Sequence, residues 1–238
     1  MSGMHEFCAE EPRLFTAPLF PLGHPALFPS MAQPFQIFEP RYRVMTADVL
    51  AGEGLIAMAT LKPGWETHYA TKTVEVEPIV CVGKVAAHEK LEDGRYLLML
   101  RGVCRAEILE EIPTDEPYRI GRLKELKKVI PNVSKFCRDK RRKDLMEALS
   151  QLCPQTEHRP ALAPLLASDI CLGELCDVLA FALKMPAQES YRVLSEIDID
   201  RRSEFVLQVI RKRLQHGGCH PPDTVKDGKR FPPGFSCN

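Results

Sequence analysis

Between Leu14 and Arg43 the chain sets Pro18, Pro21, Pro25, Pro29, Pro34 and Pro40 among Phe15, Phe20, Phe28, Phe35 and Phe38, and this stretch restricts the fold more than any other. Each proline fixes its own φ and withholds a backbone donor, so the segment is predicted to be neither a helix nor a central strand. Its apolar residues, Leu19, Phe20, Leu22, Leu27, Phe28, Phe35, Ile37 and Phe38, each gain roughly 1.5 to 3 kcal/mol by leaving water. The expectation is a bent, extended edge lying on a core. Glu39-Pro40 then fits a helix start, and Tyr42, Met45 and Val49 continue at helical spacing as far as Gly52.

Beyond this entry the pattern is that of strands. Leu55 to Leu61 is continuously apolar and bounded by Gly54 and Pro63-Gly64, as in a strand covered on both faces. Ile79 to Ala87 and Tyr96 to Ile108 flank Glu92-Asp93-Gly94-Arg95, a hairpin signal, and Tyr118 to Leu126 supplies a last strand. Gly83 and Gly102 interrupt two of these strands and permit bulges that curl a sheet. Five or six short bent strands with one inserted helix fit a small closed or nearly closed barrel.

After Pro131 the period becomes helical. Ser134 is a candidate cap for a helix carrying Phe136, Leu145, Leu149 and Leu152, and Leu162, Leu165 and Leu166 begin another. Leu172 to Leu183 and Gln188 to Leu194 follow, and Asp200 is the expected cap of a final helix bearing Phe205, Val206, Val209, Ile210 and Leu214. The predicted organisation is a flexible start (1–13), a barrel subdomain (14–130), a helical subdomain (131–214) and a flexible tail (215–238).

The order Leu-Phe-Pro-Leu (19–22), Leu-Phe-Pro (27–29), Ile-Phe-Glu-Pro-Arg-Tyr-Arg (37–43), Leu-Lys-Pro-Gly-Trp-Glu (61–66), Val-Gly-Lys-Val (82–85), Asp-Gly-Arg-Tyr (93–96) and Arg-Gly-Val-Cys-Arg (101–105) resembles the N-terminal substrate-binding domain of Lon proteases, and most of all its stand-alone forms. The resemblance covers about residues 14 to 214 and implies an α+β fold, a PUA-like β-barrel with an inserted helix followed by a C-terminal helical subdomain. Ser30 departs from the glycine usual in that family after Phe-Pro. What the resemblance implies about function is recognition of unfolded polypeptide or a partner protein, without the ATPase and protease parts.

The search for chemistry agrees with that expectation. There is no Gly-x-x-x-x-Gly-Lys-Ser/Thr loop, and Gly234-Phe235-Ser236 lacks the second glycine of a nucleophile elbow. His88 and Glu92 take the two histidine places of a zinc-helix motif, but Glu92 is no histidine and a hairpin follows. No catalytic residue, metal ligand or cofactor is assigned, and His216, Cys219 and His220 form the nearest approach to a metal cluster. Nine irregularly spaced cysteines suit buried, reduced thiols.

Thirty-two basic and 32 acidic side chains cancel, which gives no global field for nucleic acid or anionic lipid. The run Arg138 to Lys143 goes round every face of a helix without aromatic interleaving, and is expected to be a solvated surface. With no apolar span or leader, the chain is expected in the cytoplasm, away from membranes. The predicted contact residues are Trp65, Glu66 and Tyr69 in a loop, Trp65 having as its alternative a lid packed over the barrel end, with Phe35 and Phe38 either extending an apolar groove or packing in the core; Glu39, Arg41 and Arg43 are expected to hold the helix entry. The function expected is a non-catalytic binding module. The alternatives are a PUA-like RNA binder and an enzyme with an unrecognised site at the barrel mouth.

Overall fold

The computed structural model describes residues 11–67, 73–131, 135–152 and 170–215. Six strands, β1 (Leu14–Leu22), β2 (Ala32–Ile37), β3 (Leu55–Thr60), β4 (Ile79–Lys90), β5 (Tyr96–Ile112) and β6 (Arg119–Leu126), form one sheet. Helix α1 (Pro40–Ala51) is inserted between β2 and β3. After β6 come α2 (Lys135–Leu152), α3 (Leu172–Ala182), α4 (Ala187–Ser195) and α5 (Ile199–Gln215), so the architecture is α+β with its helices gathered at the C-terminal side. The expected helix around Leu162, Leu165 and Leu166, the Ser134 cap and the tail residues His216, Cys219 and His220 lie outside the described residues.

The sheet closes on itself. β1 runs parallel to β3 and antiparallel to β6, β3 pairs β4, and β4 pairs β5. The far half of β5 returns to β6, and its near half carries β2 as a flanking strand. Closure pairs the ring's strands on both sides and leaves the outer side of β2, and that of β4 beyond Val85, unpaired among the described residues.

This corrects the expectation that the proline-rich entry holds no central strand. β1 contains Pro18 and Pro21 and is nonetheless central. The reason lies in its register: residues 14–19 face β6 and residues 19–22 face β3. Each proline therefore meets one partner strand, and its missing donor turns to the side that has none.

Bulges bend the ladder as the glycines suggested. Val82 pairs Cys104 and Gly83 pairs Gly102, so Val103 is the extra residue on β5; Leu109 is skipped in the same way opposite β6. A Cβ at Gly102 would overlap the carbonyl oxygen of Phe28, so the chain can pass there only without a side chain. Ser30 adopts φ 66°, the left-handed conformation that favours glycine.

Two buried clusters result. The smaller joins Ala17 and Leu19 of β1, Ala57 and Ala59 of β3, Val80 and Val82 of β4, Ala106 of β5 and Leu123 of β6, one face of the ring. The larger takes the alternate residues, such as Phe20, Met58 and Cys81, and continues through Tyr42 and Met45 of α1 to Leu145, Leu175, Leu179 and Ile210 of the helical layer. Barrel and helices thus share one apolar core.

The helical layer is also bound by charge. Arg138 donates from Nε and Nη2 to the Asp200 carboxylate at 3.0 and 2.9 Å, and Arg141 pairs with Glu204. The basic run is therefore not simply solvated, because two of its arginines fasten α2 to α5. The expected cap also moves: Asp198, not Asp200, accepts from the amides of Asp200 and Arg201 at 2.8 and 3.1 Å and starts α5.

Candidate functional site

A cleft of about 340 Å³ opens where the barrel meets the helices. Ser30, Val103, Cys104, Arg105 and the segment Glu125–Lys128 form its barrel side, and Cys171, Gly173, Glu174, Asp177 and Arg202 its helical side. Three of these are buried charges from three elements. Arg105 on β5 donates from Nη2 to Asp177 Oδ1 of α3 at 2.6 Å, and Arg202 Nη1 of α5 donates to the same oxygen at 3.2 Å.

Burial pushes the Asp177 carboxyl above its ordinary range and the Arg202 guanidinium below its own, while the attraction between them opposes both shifts. Arg105 Nε also donates to the Leu194 carbonyl at 2.7 Å. A guanidinium at the last turn of α4 satisfies a carbonyl that the helix cannot and complements its dipole. Arg202, 2% exposed, keeps a buried Nε with no hydrogen-bond partner. Two cations thus share one buried carboxylate.

The rim is polar. Glu174 accepts from the Cys171 amide at 3.0 Å and from Ser30 Oγ at 3.2 Å, and the backbone bond first, with Ser30 and Lys128 assisting, holds its carboxyl below the ordinary value. Burial pushes the Cys104 thiol up to about 11, so little thiolate exists at neutral pH. Among the described residues, no histidine lines the cleft.

The predicted contact residues are dispersed. Trp65 stands half-buried in a one-turn 3₁₀ helix, Trp65–Thr67, with Glu66 exposed beside it. The indole lies so close over Gly23 that a Cβ there would overlap the ring. The next residue, His24, sets Nε2 2.9 Å from the Met185 carbonyl oxygen and Nδ1 2.8 Å from that of Pro25, so the Trp65 platform adjoins a contact between barrel and helices. Phe35 is 2% exposed and belongs to the core, Phe38 is half-buried after β2, and Tyr69 lies outside the described residues.

Glu39 and Arg41 pair with each other at 2.9 Å, and Arg43 reaches the β4–β5 turn at Gly94. Sequence reasoning missed Arg105, Asp177 and Arg202. The available signal was Asp177 itself, a carboxylate within the apolar run Leu175-Cys176-Asp177-Val178-Leu179.

An apolar surface lies on the outside of the barrel. On β5, Tyr96, Leu98 and Leu100 point inward, while Leu97, Met99 and Val103 are 40%, 36% and 54% exposed. Pro34 of β2 faces Met99 and Gln36 faces Leu97 across the pair. The Gly102 amide donates to the Met31 carbonyl at 2.8 Å. With Pro34 unable to donate, this phase places the pairing groups of β2 on its odd-numbered residues. Ala32, Pro34 and Gln36 turn theirs to the open side.

Residues 16–212 match the model of the family described as the ATP-dependent protease La (LON) substrate-binding domain. The chain belongs to this family. The Lon protease of Desulfosudis oleivorans is 26% identical over 205 residues, 84% of this chain and 24% of that protein. For the Lon protease of Anaeromyxobacter dehalogenans the identity is 23% over 201 residues, 83% and 23% of the two chains. The chain spans about a quarter of the length of these curated relatives.

Two solved structures share the fold. A Lon N-terminal domain protein from Xanthomonas campestris superposes with a TM-score of 0.59 at 18% identity, covering 82% of this chain and 98% of that one. The N-terminal domain of a Mycobacterium avium complex Lon protease gives 0.62 at 14% identity, covering 83% and 98%. These matches fall on the substrate-binding part and not on ATPase or protease parts.

Proposed function

We propose that the chain is a non-catalytic polypeptide-binding module that captures an extended segment of an unfolded or partner protein. One observation carries the reading: the open side of β2 lies beside an exposed apolar strip made of Pro34, Leu97, Met99 and Val103. An extended segment laid along β2 gains backbone hydrogen bonds from Ala32 and Gln36 and buries alternate side chains on the strip. Pro34 supplies no donor, which limits the ladder and favours reversible capture. Trp65, Glu66 and Phe38 offer further contacts, and Phe35 supports β2 from inside.

The family's substrate-binding designation supports polypeptide as the ligand. RNA is the weaker reading because Arg138 and Arg141 are engaged with Asp200 and Glu204. An enzyme at the cleft lacks support in an activated nucleophile, since Cys104 is held protonated by burial. We place the protein in the cytoplasm, where the buried thiols of Cys81 and Cys176 remain reduced.

The test is fluorescence anisotropy with a reduced, alkylated and labelled polypeptide. The parent is expected to bind saturably, and Met99→Glu to weaken binding about tenfold by placing a charge against buried apolar contacts. Absence of saturable binding, or a Met99→Glu curve that overlays the parent, removes the reading.

A further inference from the structure

The cleft between barrel and helices holds a charge arrangement that polypeptide capture on β2 alone does not use. Among the described residues, Arg105, Lys127, Lys128 and Arg202 line it against Glu125, Glu174 and Asp177, one more cation than carboxylates. Asp177 Oδ1 already takes a guanidinium from each side, and Glu174 is engaged by Cys171 and Ser30. Arg202 lines the cleft with its Nε unpartnered. Gly173 lets that side chain approach the first turn of α3, where a Cβ would stand 2.9 Å from Nη2.

A buried guanidinium donor without an acceptor is costly, and an incoming anion removes that cost. The volume, about 340 Å³, is at the lower end for small-ligand sites and admits one side chain or chain end. The cleft is also continuous with the apolar strip, because Val103 belongs to both and Ser30 directly precedes the approach to β2. An anion arriving there is therefore attached to the segment lying on β2.

We propose that the cleft is a carboxylate-binding subsite, with Arg202 as the hydrogen-bonding group and Lys128 as the rim charge, that receives a carboxylate of the bound polypeptide. The inference rests on the polypeptide-binding reading. The carboxylate comes from the end of a chain or from an aspartate or glutamate side chain, and the test separates the two sources.

Short labelled peptides of one apolar, extended sequence serve as probes: with a free C-terminal carboxylate and no acidic residue, with an amidated end and no acidic residue, and with an amidated end and one glutamate. Anisotropy is expected to show about tenfold tighter binding for one or both carboxylate forms than for the neutral form. The preferred form identifies the source. Lys128→Glu, an exposed position outside the core, is expected to reduce that advantage, as is Arg202→Lys if it folds. In parallel, the Arg202 Nε–Hε resonance of the parent is expected to move on titration with the carboxylate peptide and with sodium acetate.

Equal binding of all peptides with an unmoved Arg202 signal overturns the subsite and leaves polypeptide capture standing. If no peptide binds but acetate moves Arg202 saturably, the carboxylate site stands and polypeptide capture falls. If neither occurs, both are overturned.

Discussion

Asp177→Asn isolates the charge that joins barrel and helices. The amide keeps the shape of the side chain and an acceptor for Arg105 and Arg202, which lie at 2.6 and 3.2 Å. It removes the negative charge that two buried guanidiniums share. Breaking a buried pair by removing one partner costs about 3 to 5 kcal/mol, most of it from the uncompensated charge left behind. For a chain of this size each kcal/mol lowers the melting temperature by about 2 to 4 °C, so a fall of roughly 6 to 20 °C is expected.

Urea unfolding followed by far-UV circular dichroism measures the loss directly, with an unchanged m-value as the sign that the folded state keeps its extent. In an Arg202→Met background the same change is expected to cost less, because one cation then remains in place of two. A midpoint for Asp177→Asn within about 1 kcal/mol of the parent, or an equal loss in both backgrounds, would refute the account of a carboxylate shared by two arginines.

Gly23→Ala forces the Trp65 indole off its seat; because Trp65 is the chain's one tryptophan, a red-shifted emission and greater acrylamide quenching are expected, and an unchanged spectrum contradicts the packing. Asp198→Ala removes the acceptor for two amides at the start of α5 and is expected to cost about 1 kcal/mol in urea unfolding. Glu174→Gln tests the lowered carboxyl: a depressed value stabilises the fold above the unfolded value near 4.5, and that contribution disappears as pH falls through the folded value. The parent is therefore expected to exceed the variant in stability at neutral pH and to converge with it below about 4.5, and a gap that stays constant through this range contradicts the assignment.

Much of the barrel was legible because its signals are local. Leu55 to Leu61, the Asp93-Gly94 turn and the period change after Pro131 each report on neighbouring residues. The place of β1 was not legible, since whether a proline fits a central strand depends on which partner occupies which half of that strand. The same holds for the cap of α5, where Asp198 and Asp200 stand two residues apart and only the role of Asp200 toward Arg138 decides between them. The cleft was hidden more deeply. Arg105, Asp177 and Arg202 come from well-separated segments; the two arginines taken alone read as ordinary surface charges, and only Asp177, set in an apolar run, stood out. Trp65 was readable as a loop aromatic but not as a ring seated on Gly23.

The pairing of β1 with both β3 and β6 has a consequence for biosynthesis. A ribosome releases the first strand long before its last neighbour exists, so Phe15, Leu19 and Phe20 emerge into water with no permanent shelter. Ring closure must wait for residues near 126 to clear the exit tunnel. A module proposed to capture unfolded chains thus passes through a stage in which it is itself a chain of that kind.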